Sequence, residues 1–156
     1  MKTRLHYGKT APGIYEAMDA LDQYSAASGL EETLLHLIRL RASQINGCAY
    51  CLDMHWKDLR ALGENEQRLY SLDAWRECPY YSPRERAALA WTEAVTTLAG
   101  QIPDAAFDEA RTQFSEKELS DLTLAIAAIN AWNRLSIAGR LVPGGYKSSL
   151  QPAGAQ

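Results

Sequence analysis

Two cysteines stand three apart in the stretch Gly47-Cys48-Ala49-Tyr50-Cys51-Leu52-Asp53-Met54-His55, and a histidine follows the second by four. On a helix, positions three and four apart are neighbours, so Cys51 and His55 can touch and Cys48 can reach Cys51. The thiolate is the reactive form of cysteine, and a free thiol is mostly protonated at neutral pH. The positive end of a helix dipole and a nearby imidazole both favour the thiolate. An activated thiol beside a second thiol can reduce a peroxide to an alcohol, pass through a sulfenic acid and close to a disulfide. Position along the dipole favours Cys48 as the attacking thiol, whereas the histidine at i+4 favours Cys51. The spacing leaves both open.

A second histidine belongs to this constellation. His36 lies eleven residues before Gly47, and His55 lies eight after it. If the flanking helices fold back at Gly47, both imidazoles sit roughly 12–16 Å along their axes from the corner. They then meet across the interface, with His36 holding His55 or relaying its proton, a recurring arrangement around nucleophiles. Other chemistries draw on the same residues. Cys48, Cys51 and His55 could ligate zinc, with His36 or Cys78 as the fourth ligand, but structural zinc commonly uses a second spaced pair and this chain has none. The thiols could be inert and buried, or they could form a disulfide that senses redox state without catalysis.

The elements that must hold these residues read as helices. Pro12 suits a first helical turn, and Ile14, Ala17, Met18 and Leu21 give a helical period over about 12–27. Ser28 to Glu31 has capping-box spacing ahead of a helix over about 30–45. Asn46-Gly47 supplies its stop, and the motif helix begins there and runs to Gly63. A short helix is expected over Glu64–Arg76. Ser82-Pro83-Arg84-Glu85 and Ser115-Glu116-Lys117-Glu118 are further capping boxes. They open helices to about Leu98 and Ile137, with a short helix from Pro103 to about Gln113 between them. The last helix is apolar on most sides between Leu122 and Ile129, which makes it central to the core or to a subunit interface. Asn130 and Asn133 within it need hydrogen-bond partners. Residues 1–10 show no periodicity and read as a loosely held arm. The expectation is an all-α domain of about six helices over 1–142, with a mobile tail over 143–156.

Composition agrees with one globular domain. The chain has 156 residues, 47% hydrophobic and 22% charged. A net charge of −3 excludes a general affinity for nucleic acid or anionic membranes. The longest apolar run, Leu124 to Ile129, is far too short to span a membrane. Lys2 and Arg4 are not followed by an apolar stretch, so no secretory signal is visible. Three cysteines are too sparse for a secreted disulfide scaffold, which points to a reducing cytoplasm. Cys78 and His6 carry no signal of a role.

The stretch Arg41 to His55 resembles the signature of the carboxymuconolactone decarboxylase family, and more narrowly its alkylhydroperoxidase AhpD-like branch. The likeness continues through Tyr80 to Glu93 and Ile129 to Arg134, and spans about residues 10–142. The resemblance implies an all-α fold, homo-oligomers that are often trimers or hexamers, and peroxidase or related thiol-disulfide activity without a cofactor. It implies a hydroperoxide substrate and an external dithiol reductant. It assigns peroxide attack to Cys51, resolution to Cys48 and proton relay to His55. Relatives that decarboxylate a lactone typically lack the cysteine pair, which makes that activity the less expected one. The chain departs from AhpD at one position. AhpD carries a glutamate twelve residues before the first cysteine, where this chain has His36. A neutral imidazole cannot supply a carboxylate's negative charge, so the relay must be modified or weakened.

Overall fold

The computed structural model describes residues 2–151. Among these, every regular element is helical: α1 (Tyr7–Thr10), α2 (Gly13–Ala27), α3 (Glu32–Asn46), α4 (Ala49–Ala61), α5 (Glu66–Tyr70), a 3-10 helix (Leu72–Glu77), α6 (Pro83–Thr96), α7 (Asp104–Arg111) and α8 (Glu116–Gly139). The all-α expectation holds, with more pieces than the six or so expected. The stretch from Glu64 to Arg76 is divided because Ser71 closes α5, its hydroxyl donating to the Gln67 carbonyl. Tighter 3-10 geometry follows, with Ala74 out of helical conformation.

The centre of the molecule is α3, packed against α4, α6 and α8. Leu34, Leu35, Leu37, Ile38, Leu40 and Ala42 are all buried, so apolar side chains point inward from more than one face of α3. One core cluster joins Leu34, Leu35 and Ile38 to Ala88, Leu122 and Ile126, and another joins Leu37 and Leu40 to Leu59, Leu72 and Leu89. Each such leucine contributes about 1.5–3 kcal/mol by leaving water. A third cluster holds Cys48, Cys51, Ala42 and Ile129.

Both later capping boxes form. Ser82 accepts from the Glu85 amide and Ser115 from the Glu118 amide, with each glutamate returning to its serine's backbone. The Ser28 box does not. Glu31 is instead drawn to Arg84, which also pairs with Glu118, so this arginine ties together the starts of α3, α6 and α8. Ser28 closes α2, donating to Ser25 at 2.7 Å. Residues 2–10 are also held more firmly than their sequence suggests. The Arg4 and Leu5 amides donate to the Gly139 carbonyl, and the Arg4 guanidinium donates to the Ala138 carbonyl at 2.7 Å. A cation at the carbonyl end of α8 complements its dipole. No helix among the described residues is long and apolar enough to cross a membrane.

Candidate active site

The corner between α3 and α4 is built by Gly47. Its φ of 68° is left-handed, a conformation costly for residues with a side chain. The Gly47 and Cys48 amides return to the Gln44 and Ser43 carbonyls and complete the turn. A polar network then fastens the corner to α8. Asn46 donates to both Asn130 and Asn133 at 2.9 Å, and Asn133 donates to Ser43 at 3.0 Å. Asn130 also donates to Thr96 on α6 at 3.0 Å. The two asparagines of the apolar helix therefore find their partners within the chain and brace the cysteine turn.

Cys48 is the N-cap of α4, and its sulfur accepts the Cys51 amide at 3.4 Å. Its thiol is drawn down to about 7, chiefly by a hydrogen bond from the Cys51 thiol and further by the Cys51 amide. Cys51 is pushed far up, because it holds the proton shared with Cys48 and because it is buried. Its sulfur also lies 3.6 Å from the Ser136 hydroxyl. Within the coupled pair, Cys48 is thus drawn toward the thiolate and Cys51 toward the thiol. Both thiols are free and buried.

The two histidines meet across the α3–α4 interface, as the corner predicts. Their Nδ1 atoms are 3.3 Å apart and their ring centroids 5.5 Å apart. Burial lowers both, His36 to about 4 with Arg39 adding to the effect and Asp58 opposing it, and His55 well below its usual value. Both rings are therefore neutral near pH 7. The Nε2 atom of His55 has no hydrogen-bond partner among the described residues.

Sequence reasoning missed Asp58. Its Oδ2 lies 3.6 Å from His36 Nδ1 and 3.8 Å from His55 Nδ1, and its side chain is buried. Its i+3 spacing from His55 was the available signal, since it puts the two on one face of α4. Asp58 is a carboxylate beside a histidine pair that lacked one in the sequence. Its Oδ1 accepts the Tyr146 hydroxyl at 2.7 Å. That tyrosine comes from the segment expected to be mobile. Residues 143–151 have no helix or strand, but Gly144 and Tyr146 accept from Lys57 and the Gly144 amide donates to Asp53. The remainder of that tail, 152–156, lies outside the described residues.

Cys51, His36, His55 and Asp58 line one cavity of about 470 Å³, whose walls include Tyr50 and Trp132. Cys48 opens instead on a smaller cleft of about 180 Å³ beside Arg140. Cys78 packs away from both, on the core around Leu37 and Trp75. The zinc set imagined from the sequence is not assembled. Among the described residues the donors that converge are His36, His55 and Asp58, without a cysteine.

The profile of the carboxymuconolactone decarboxylase family matches residues 12–94. The protein YdfG of Bacillus subtilis (strain 168) is 43% identical over 139 residues, covering 88% of this chain and 95% of YdfG. The crystal structure of ATU0492 from Agrobacterium tumefaciens, a protein of unknown function assigned to AhpD-type antioxidant defence, is similar at 46% identity. The TM-score is 0.89, and the match covers 93% of this chain and 100% of that one. A peroxidase-related protein from Silicibacter sp. TM1040 shares the fold at 24% identity and a TM-score of 0.76, over 86% of this chain and 72% of its own. This chain belongs to the carboxymuconolactone decarboxylase family.

Proposed function

We propose that the protein is a thiol-dependent peroxidase that reduces hydroperoxides through Cys48 and Cys51. The observation that carries this reading is the single cavity shared by Cys51, His36, His55 and Asp58. The antioxidant assignment of the Agrobacterium relative supports it.

Cys51 first loses its proton, and its sulfur attacks the outer oxygen of the peroxide. The O–O bond breaks, the sulfur is oxidised to a sulfenic acid, and the leaving alkoxide takes up a proton to become the alcohol. The Cys48 thiolate then attacks the Cys51 sulfur. An S–S bond forms, and hydroxide leaves as water once protonated. An external dithiol reduces the disulfide and is itself oxidised. Its attack on the Cys51 sulfur expels Cys48, and a thiol of low pKa is the better leaving group.

His55 is the proton carrier. When its Nδ1–H donates to His36, its unpartnered Nε2 keeps a lone pair for the thiol proton. The resulting imidazolium faces Asp58, whose charge supplies what His36 cannot. The same reading assigns the protein to the cytoplasm, where thiols stay reduced. It also expects a trimer or hexamer, which light scattering measures.

Peroxide consumption with a dithiol reductant tests the assignment. Cys51→Ser should abolish it, and His55→Ala should slow it by about 10²–10⁴-fold, the usual contribution of a general base. Cys48→Ser should trap sulfenic acid on Cys51, read by mass spectrometry. Equal consumption by the parent and Cys51→Ser would overturn the enzyme reading. One oxidation per chain without turnover in excess dithiol would make the protein a redox sensor instead.

A further inference from the structure

Three buried ligand-type atoms face one another at the floor of the cavity. His36 Nδ1 and His55 Nδ1 are 3.3 Å apart, and Asp58 Oδ2 is 3.6 Å and 3.8 Å from them. The two distances to the carboxylate exceed the roughly 2.7–3.2 Å of an N–H···O hydrogen bond. A point equidistant from all three atoms lies about 2.1 Å from each, which matches zinc bonds to nitrogen and carboxylate oxygen. The triangle is thus wide for a hydrogen-bonded triad and well sized for a cation.

We propose that His36, His55 and Asp58 form a binding site for a divalent transition-metal cation, best matched by zinc, with its fourth position open to the cavity. His36 projects from α3, and His55 and Asp58 project from one face of α4, so two packed helices set the geometry. Both imidazoles are buried side chains that present a ring nitrogen to the same point. The Tyr146 hydroxyl on Asp58 Oδ1 holds the carboxylate with Oδ2 toward the histidines, the kind of support that ligating carboxylates receive. The cavity provides room for water or a small anion at the open position. Two histidines, one carboxylate and an open position are also what catalytic zinc centres use.

Binding at this site does not depend on the thiol chemistry proposed above, but one consequence does. Coordination through Nδ1 confines the remaining proton of His55 to Nε2, and the ring can then no longer accept a thiol proton. Bound zinc would therefore inhibit peroxide reduction.

The test is metal binding by the full chain with Cys48, Cys51 and Cys78 all replaced by serine. After chelation and dialysis against zinc, one zinc per chain is expected, as in the parent. His36→Ala and Asp58→Asn should each lose stoichiometric binding. Tyr146→Phe should weaken it about 10–100-fold, as loss of a supporting partner does. Cobalt in the reduced parent protein should give d–d bands without the sulfur-to-cobalt charge-transfer band. No zinc on the folded cysteine-free chain, or a thiolate charge-transfer band in the parent, would overturn the proposal. Should the cysteine-free chain fail to fold, the cobalt spectrum of the parent decides. These readouts measure binding, so their failure leaves the peroxidase reading untouched, and loss of peroxidase activity leaves this site untouched.

Discussion

Cys51→Ala removes the S–H donor that acts on Cys48 while leaving the Cys51 amide and the start of α4 in place. The thiol donor is the largest cause of the lowered Cys48 value of about 7. A hydrogen bond to a charged group contributes about 1.5–3 kcal/mol. Sulfur is a weak donor, so the lower end applies, and this corresponds to about one pH unit. The Cys48 midpoint should therefore move from about 7 toward 8, and below pH 7 its thiolate fraction should fall about tenfold. The sign is fixed by the charge: the donor stabilises the anion, so its loss raises the pH at which the anion forms. The assay is the rate of alkylation by iodoacetamide against pH, with mass spectrometry assigning the label to Cys48. Cys51→Ser keeps a donor at the same position and should titrate close to the parent. A Cys51→Ala midpoint equal to the parent's would refute the reasoning, as would a parent midpoint near the ordinary thiol value of about 8.5.

Asp58→Asn should keep the fold and lower peroxide consumption at least about tenfold, because the His55 imidazolium loses its counter-charge. A shifted pH–rate profile with an unchanged circular dichroism spectrum would distinguish this from unfolding. Gly47→Ala puts a side chain at φ 68°, where no atom obstructs it but the backbone is strained. It should lower stability by about 1–2 kcal/mol in urea unfolding. Leu37 is fully buried at the centre of α3, so Leu37→Ala should cost about 2–5 kcal/mol in the same measurement.

Legibility in the sequence followed the range of each interaction. Local chemistry was readable: the Ser82 and Ser115 capping boxes, the Gly47 stop, and the Cys48–Cys51–His55 spacing all depend on residues within a turn or two. The box at Ser28 failed for a non-local reason, since Arg84 lies 53 positions from the Glu31 it captures. The arm before α2 looked unheld because its partners, Leu135, Ala138 and Gly139, are at the other end of the chain.

The site divides along the same line, and its missing part is the informative one. Cys48, Cys51 and His55 announce themselves by spacing, and His36 could be brought to them by a single corner. Asp58 shares the spacing of an ordinary surface acid on the last turns of an amphipathic helix, and only burial distinguishes it. One of its oxygens is held by Tyr146, which lies 88 positions away in a segment with no regular structure. A sequence comparison centred on the cysteine motif therefore sees an absent carboxylate at His36. The folded chain has one 3.6 Å from that histidine, on the neighbouring helix. The charge near the histidines is supplied from α4 rather than from α3. With an imidazole at position 36, the same arrangement gains a second nitrogen ligand. An imidazole at position 36 therefore bears on both proposals, the proton relay and the metal site, because it faces His55 and Asp58 alike.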